Sequence, residues 1–227
     1  MPYRRRYKRG YGRRRRRYNP YRRGNPLTYG AIAKKVLNDV SWLKGKVSLL
    51  NTEVKRHDFS SFGTIQQFSG TATFVPLTNI AQGDSEVTRD GNSLKATSLH
   101  IRVGLGQAAT AAEQRIRIMV CQLKKAGEAP TITDVLETPA ANLDSWRNID
   151  KSRDLKMLSD KTYSMPADGQ TSERHIQYNF KISHHIKFDN TNDNSQQYGA
   201  IGICIMTDEP TNRAGFNLAS RFRYVDN

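Results

Sequence analysis

The sequence predicts an all-β fold: an eight-stranded antiparallel jelly-roll sandwich, preceded by a short helix and a disordered basic N-terminal arm. Three observations lead there. From Glu53 onward apolar residues recur with period two in eight separate runs, and no helical stripe of useful length interrupts them. These runs occupy about 175 residues with long connections between several of them. That suits a jelly roll better than an immunoglobulin-like sandwich, which takes about 100 residues with shorter loops. Cationic residues, in contrast, gather in the first 23 positions. The boundaries that follow are an arm at 1–23, a linker and amphipathic helix at 24–52, and the sandwich at 53–227.

The arm, Tyr3 to Arg23, holds twelve cations and no carboxylate. They are Arg4, Arg5, Arg6, Lys8, Arg9, Arg13, Arg14, Arg15, Arg16, Arg17, Arg22 and Arg23. Such a segment cannot bury an apolar core, so it is expected to gain order only on a partner. Arginine's planar fork binds phosphate oxygens in pairs and stays charged at every relevant pH. Tyr3, Tyr7, Tyr11, Tyr18 and Tyr21 stand among the arginines and offer rings on which bases can stack. The chain as a whole carries 36 basic and 21 acidic residues, net +15; without the arm's twelve cations the balance is 24 to 21, or +3. The arm is therefore read as a single-stranded nucleic-acid binder that is blind to sequence, because phosphate contacts carry no base code. Basic runs of this kind also serve host import machinery and nuclear localisation, although this one is longer than an address needs.

Asn19-Pro20 and Gly24-Asn25-Pro26 read as an extended joint. A helix is expected from about Thr28 to Leu50. Ile32, Val36, Val40, Leu43, Val47 and Leu50 fall at steps of 4, 4, 3, 4 and 3, which puts them on one narrow stripe. Gly45 weakens the helix and marks a place where it could end. The stripe would cover either the chain's own core or a symmetry mate.

The eight strand-like runs follow in order. The first lies near Val54–Phe59 and the second near Thr71–Leu77. The third, Ser93–Leu105, sets Leu99, Ile101, Val103 and Leu105 against His100 and Arg102. The fourth, Gln114–Lys124, alternates Ile116, Ile118 and Val120 with Arg115 and Arg117. A long connection from Gly127 to Ile149 has one or two helical turns at Thr131–Leu136. Leu155–Tyr163 is a weak fifth run. The sixth has the cleanest alternation, with Ile176, Tyr178, Phe180, Ile182, Ile186 and Phe188 opposite His175, Gln177, Asn179, Lys181, Ser183, His185 and Lys187. The seventh, Tyr198–Thr207, is almost wholly apolar, as a strand covered on both faces would be. The eighth, Phe216–Tyr224, sets Phe216, Leu218, Phe222 and Tyr224 against Arg221 and Arg223. Arg102, Lys181, Arg221 and Arg223 would share one sheet of a jelly roll, which makes them a second candidate cationic site.

Other chemistry is thin. Cys121 and Cys204 sit in apolar alternating runs and read as buried thiols of a reducing compartment. No apolar h-region marks a signal peptide, and the longest apolar run, Gly199–Met206, is too short to insert in a membrane. No GxxxxGK[ST], HExxH, Gly-x-Ser-x-Gly or deaminase zinc pattern occurs, so no enzyme, cofactor or metal site is expected. His184 and His185 are strand neighbours that point to opposite faces. His57 and His100 read as surface or interface residues. Asp189–Ser195, DNTNDNS, lacks the glycine and distal glutamate of a calcium loop and reads as a solvated turn. Arg89-Asp90-Gly91 reads as a tight turn before the third strand.

Ala33–Asp58, AKKVLNDVSWLKGKVSLLNTEVKRHD, resembles the segment joining basic arm to shell domain in capsid proteins of small circular single-stranded DNA viruses that encode a replication initiator. Gln82–Arg102, QGDSEVTRDGNSLKATSLHIR, is similar to the loop and long strand of those capsids and of satellite plant virus shells. With the arginine-rich start, the resemblance covers roughly the first 105 residues. It implies a circovirus-like coat protein in a virion assembled in the host nucleus, with about sixty identical subunits in a T=1 icosahedral shell. It implies DNA in preference to RNA, and it allows a structural calcium at a subunit contact. The other function class open at this point is a cellular nucleic-acid-binding protein with a basic tail.

Overall fold

The computed structural model describes residues 29–50, 54–69, 72–106, 113–125, 130–138, 143–167, 173–189 and 196–226. The chain divides into two compact units, Met1–Asn51 and Thr52–Asn227.

In the first unit, helix α1 spans Tyr29–Leu50 without a break. It does not end at Gly45, since the roughly 1 kcal/mol that an interior glycine costs is too little to stop a helix with so many good formers on either side. Ile32, Val36, Val40 and Leu43 of the apolar stripe are 42 to 53 % exposed, so nothing described within this unit covers them. The side chains of Val47 and Leu50 lie outside the described residues.

The second unit is the expected sandwich. Its strands are β1 (Val54–Thr64), β2 (Gln66–Gln67), β3 (Val75–Pro76), β4 (Ser93–Gly106), β5 (Gln114–Leu123), β6 (Leu155–Met165), β7 (Glu173–Phe188), β8 (Gln196–Tyr198), β9 (Ile201–Thr207) and β10 (Gly215–Asp226), with a four-residue helix α2 at Ile132–Val135. One sheet has the order β1-β10-β4-β7-β8, and the other β2-β9-β5-β6, with β3 also on β9. β2 and β3 are two pieces of one interrupted edge strand, and β8 only extends the first sheet. Counted that way, the eight runs lie in the orders 1-8-3-6 and 2-7-4-5, which is a jelly roll.

Two expected strands differ. The second run forms a ladder with β9 only at Val75 and Pro76, with Leu77 donating to the Ile201 carbonyl at 2.8 Å and Thr73 bridging Thr131, because proline has no N–H to give and is confined to such an edge; Gln66–Gln67, unexpected from sequence, pairs parallel with the far end of β9. The seventh run is not one strand. Tyr198 ends β8 in the first sheet, Ile201 starts β9 in the second, and Gly199 turns the corner at φ 84°. A Cβ there would stand 2.7 Å from the carbonyl oxygen of His185, so only glycine fits. The first run is longer than expected, reaching Thr64 along the whole of β10.

The core fills the space between the sheets. Leu99, Ile101 and Val103 of β4, Ile176, Tyr178 and Ile186 of β7, and Leu218 and Phe222 of β10 meet Ile116, Ile118 and Val120 of β5 and Ile201, Ile203 and Ile205 of β9. A second apolar cluster lies on the other side of β5 and β9. There Met119, Cys121, Cys204 and Met206 are roofed by Phe74, Ile132, Val135, Leu136 and Leu143. This roof is why β9 is apolar on both faces. α2 is fastened by a capping box, Thr131 with Asp134. Arg117, expected opposite the apolar face, is buried beneath the roof. Its guanidinium forks onto Asp160 at 2.8 and 2.9 Å and donates to the carbonyls of Leu143 and Ser145 at 2.6 and 2.9 Å.

Candidate nucleic-acid interface

The second sheet is roofed by segments of its own unit; among the described residues of that unit none covers the outer face of the first. Alternation on four antiparallel strands places every second side chain there, and the register joins them into rungs. Arg56, Arg223, Ser98 and Lys181 form one. Asp58, Arg221, His100 and Asn179 form the next, followed by Ser60, Ala219, Arg102 and Gln177, and then by Phe62, Asn217, Gly104 and His175. Apart from the half-covered Ser98 and Gly104, all sixteen are exposed.

Five cations therefore share these four rungs with one carboxylate, that of Asp58. Arg221 spends its fork on that carboxylate, both bonds at 2.8 Å, and these bonds hold Asp58 below the usual carboxylate range. His100 Nδ1 lies 2.7 Å from the Asn179 side-chain oxygen. Among the described residues Arg56, Arg102, Lys181 and Arg223 make no ion pair, so four cations face solvent with their hydrogen-bond capacity unspent. A groove of about 470 Å³ runs between Arg102, Arg221 and Arg223. Such an arrangement offers point and fork contacts to phosphate oxygens along about three rungs.

The arm residues Tyr3 to Arg23 lie outside the described residues, as do positions 190–195 of the DNTNDNS stretch. Arg102, Lys181, Arg221 and Arg223 come together on one sheet; Arg56, from β1, completes the patch. Sequence reading passed over Arg56 because placing it needs the β1–β10 register. His184 Nε2 donates at 3.1 Å to the carbonyl of Gly199, and burial lowers its pKa. His57 is half-buried and likewise lowered by desolvation. No group of three metal-binding side chains occurs among the described residues. Cys121 and Cys204 are buried free thiols, and burial pushes Cys204 up to about 12.

The Gln82–Gly91 loop is a clamp. Arg89 is fully buried, donates to the carbonyls of Ile80 and Gly91 at 3.2 and 2.5 Å, and lies 4.2 Å from the centre of the Phe188 ring. Gln82 donates to the Asp90 carbonyl at 2.8 Å, and Asp90 pairs with buried Lys55 at 2.7 Å. The arginine of this stretch is thus a core residue that locks the entry to β4.

No family model matches the chain, and no curated protein matches it. Among solved structures it is similar to the VP2 subviral particle of infectious bursal disease virus, at 8 % identity over 77 % of this chain and 33 % of that one, with a TM-score of 0.30. It is similar to the Gx strain of the same virus at 11 % identity over 77 % and 31 %, with a TM-score of 0.26. A chain of the Bacillus endospore appendages, described as disulfide-linked pili, matches at 8 % identity over 78 % and 92 %, also at 0.26. The chain spans about a third of the two virus chains. Likenesses this faint carry no weight for function, and the strand order defines the class: a jelly-roll sandwich with one roofed sheet and one bare, cationic sheet.

Proposed function

We propose that this chain is a viral coat protein whose copies, about sixty, close an icosahedral shell around a single-stranded genome that the Arg-rich arm collects. One observation carries the reading: twelve cations stand in the first 23 residues, ahead of a remainder of the chain whose balance is only +3. A nearly neutral body can tile with copies of itself, whereas strong like charge would oppose it. Sixty arms would bring 720 charges, enough for on the order of a thousand phosphates, with counterion release as the drive. The cations of the bare sheet add a second layer of contact. Trp146 and Ile149, 81 and 75 % exposed on the roof of the other sheet, are the kind of apolar anchors that subunit contacts use. The resemblance of Ala33–Asp58 and Gln82–Arg102 to replication-initiator DNA virus capsids favours DNA over RNA, assembly in the nucleus and residence in the virion.

Sizing and electron microscopy of the purified chain, with and without single-stranded DNA across a salt series, test this. Particles of about sixty chains are expected. A monomer or dimer under every condition refutes it. Removal of residues 1–23 should leave the sandwich folded and flatten the salt dependence of DNA binding; an unchanged slope would move the binding site away from the arm.

A further inference from the structure

At one end of the bare sheet the outward side chains stop. Gly104 takes the β4 place in the Phe62 rung, and the next rung has glycine on both central strands, Gly215 and Gly106. The result is a hollow of about 830 Å³ with a floor of bare backbone. Among the described residues a Cβ on Gly106 would meet nothing within 4 Å, whereas one on Gly104 would meet the His175 ring and the Asn217 Cβ at 3.6 Å, so the open floor is the backbone of Gly106 and Gly215. Phe62 of β1 stands on one side, 85 % exposed, and His175 on the other, on a strand three spacings or about 14 Å away with its ring leaning over Gly104. Between them rises only Asn217, whose amide carries both donors and an acceptor. Arg102 lies one outward position back along β4, about 7 Å from Gly104.

We infer that this hollow accepts an unpaired base of the enclosed strand: the base lies on the glycine floor against Phe62, its polar edge meets Asn217, and its phosphate meets Arg102. The inference rests on the coat reading and deepens it by giving the folded body a base site separate from the arm. Its chemistry is that of single-strand binders, in which an aromatic ring faces a base while neighbouring cations follow the backbone. Charge sets the direction of the strand. Glu173 closes the far rim, 3.8 Å from His175, and repels phosphate, whereas the opposite way leads over Arg102 to Arg223, Lys181 and Arg56. A plain apolar ligand has no use for that row of cations, and a polyanion with rings matches both parts.

The test uses the full chain with a short oligodeoxythymidine bearing 5-iodouracil, and an abasic strand of equal length and charge. Ultraviolet crosslinks are expected at the peptide containing Phe62. Phe62→Ala should reduce the preference for the base-bearing strand over the abasic one about tenfold, and Phe62→Trp should keep it. Gly106→Leu fills the hollow from a position with room for a side chain, and it should cause the same loss while the thermal melt stays that of the unaltered chain. Crosslinks confined to residues 3–23, with the preference unchanged in all variants, overturn the base site and leave the coat reading standing. Particle assembly lost in Phe62→Ala with the preference unchanged also overturns it, making the hollow a contact between copies. If the unaltered chain takes neither strand at any salt, both readings fall.

Discussion

Replacing Arg117 by methionine tests the account of the roofed sheet. Methionine keeps much of the apolar length of arginine but removes four hydrogen bonds, two to Asp160 and two to the carbonyls of Leu143 and Ser145. Breaking a buried ion pair from one side costs about 3–5 kcal/mol, because the surviving charge stays buried. Here Asp160 keeps Arg147 at 3.1 Å, a partner that is itself 57 % exposed, which places the expected loss near the lower bound, about 3 kcal/mol. For a domain of this size that lowers the melting temperature by about 6–12 °C. Removing both charges, as Arg117→Met with Asp160→Leu, should recover most of the loss. Burial by itself would raise the Asp160 carboxyl, but the Arg117 and Arg147 bonds hold it below its ordinary 3.8. A depressed carboxylate contributes stability above its unfolded pKa and loses it as pH falls through the folded value. The gap between parent and Arg117→Met should therefore narrow in acid. Denaturant melts of unassembled protein measure all of this. A single variant within about 1 kcal/mol of the parent, or a double variant worse than the single, would show that the roof is not fastened by this pair.

Other outcomes follow from the same structure. Gly199→Ala should cost about 2 kcal/mol or more in a denaturant melt, since an alanine at φ 84° adds backbone strain to a 2.7 Å clash with His185. Cys121 and Cys204 should resist alkylation at pH 8 until the protein is unfolded, because burial keeps both thiols protonated; native labelling would mean the roof opens readily. Arg56→Ala should raise the melting temperature at low salt and lose that advantage at high salt, because Arg56 faces Arg223 directly across the β1–β10 ladder.

The bare sheet was legible in the sequence to the extent that alternation could carry it. Period two fixes which side chains of β4, β7 and β10 face out, and the jelly-roll order makes those strands neighbours. Arg102, Lys181, Arg221 and Arg223 could thus be grouped before any coordinates. The hollow was not legible, because a gap at Gly104, Gly106 and Gly215 exists only once the register sets the glycines side by side. Arg117 and Arg89 misled for a related reason. By local pattern Arg117 reads as an outward strand residue and Arg89 as part of a tight turn, and each is buried by a segment with no periodic signal of its own, the roof in one case and the Gln82–Gly91 clamp in the other. The corner at Gly199 was hidden in an apolar run that reads as one strand, since hydrophobicity does not report which sheet a residue joins.

The bare face is not what a merely solvated sheet requires. An antiparallel sheet can show one side to water with charges of both signs interspersed, which keeps opposite charges near each other. This one sets Arg56 against Arg223 with Lys181 in the same rung, an arrangement that weakens the sheet, and the carboxylate of the neighbouring rung, Asp58, is already held by Arg221. The second sheet answers the same problem differently: its outer arginine, Arg117, is matched with Asp160 and covered. A chain that pairs and roofs the charge on one sheet, yet leaves like charges facing each other on the other, has left that face to be neutralised from outside. On the proposed coat reading that neutraliser would be the phosphate of the enclosed strand, and the repulsion that costs the lone subunit stability would become a drive to assemble around cargo.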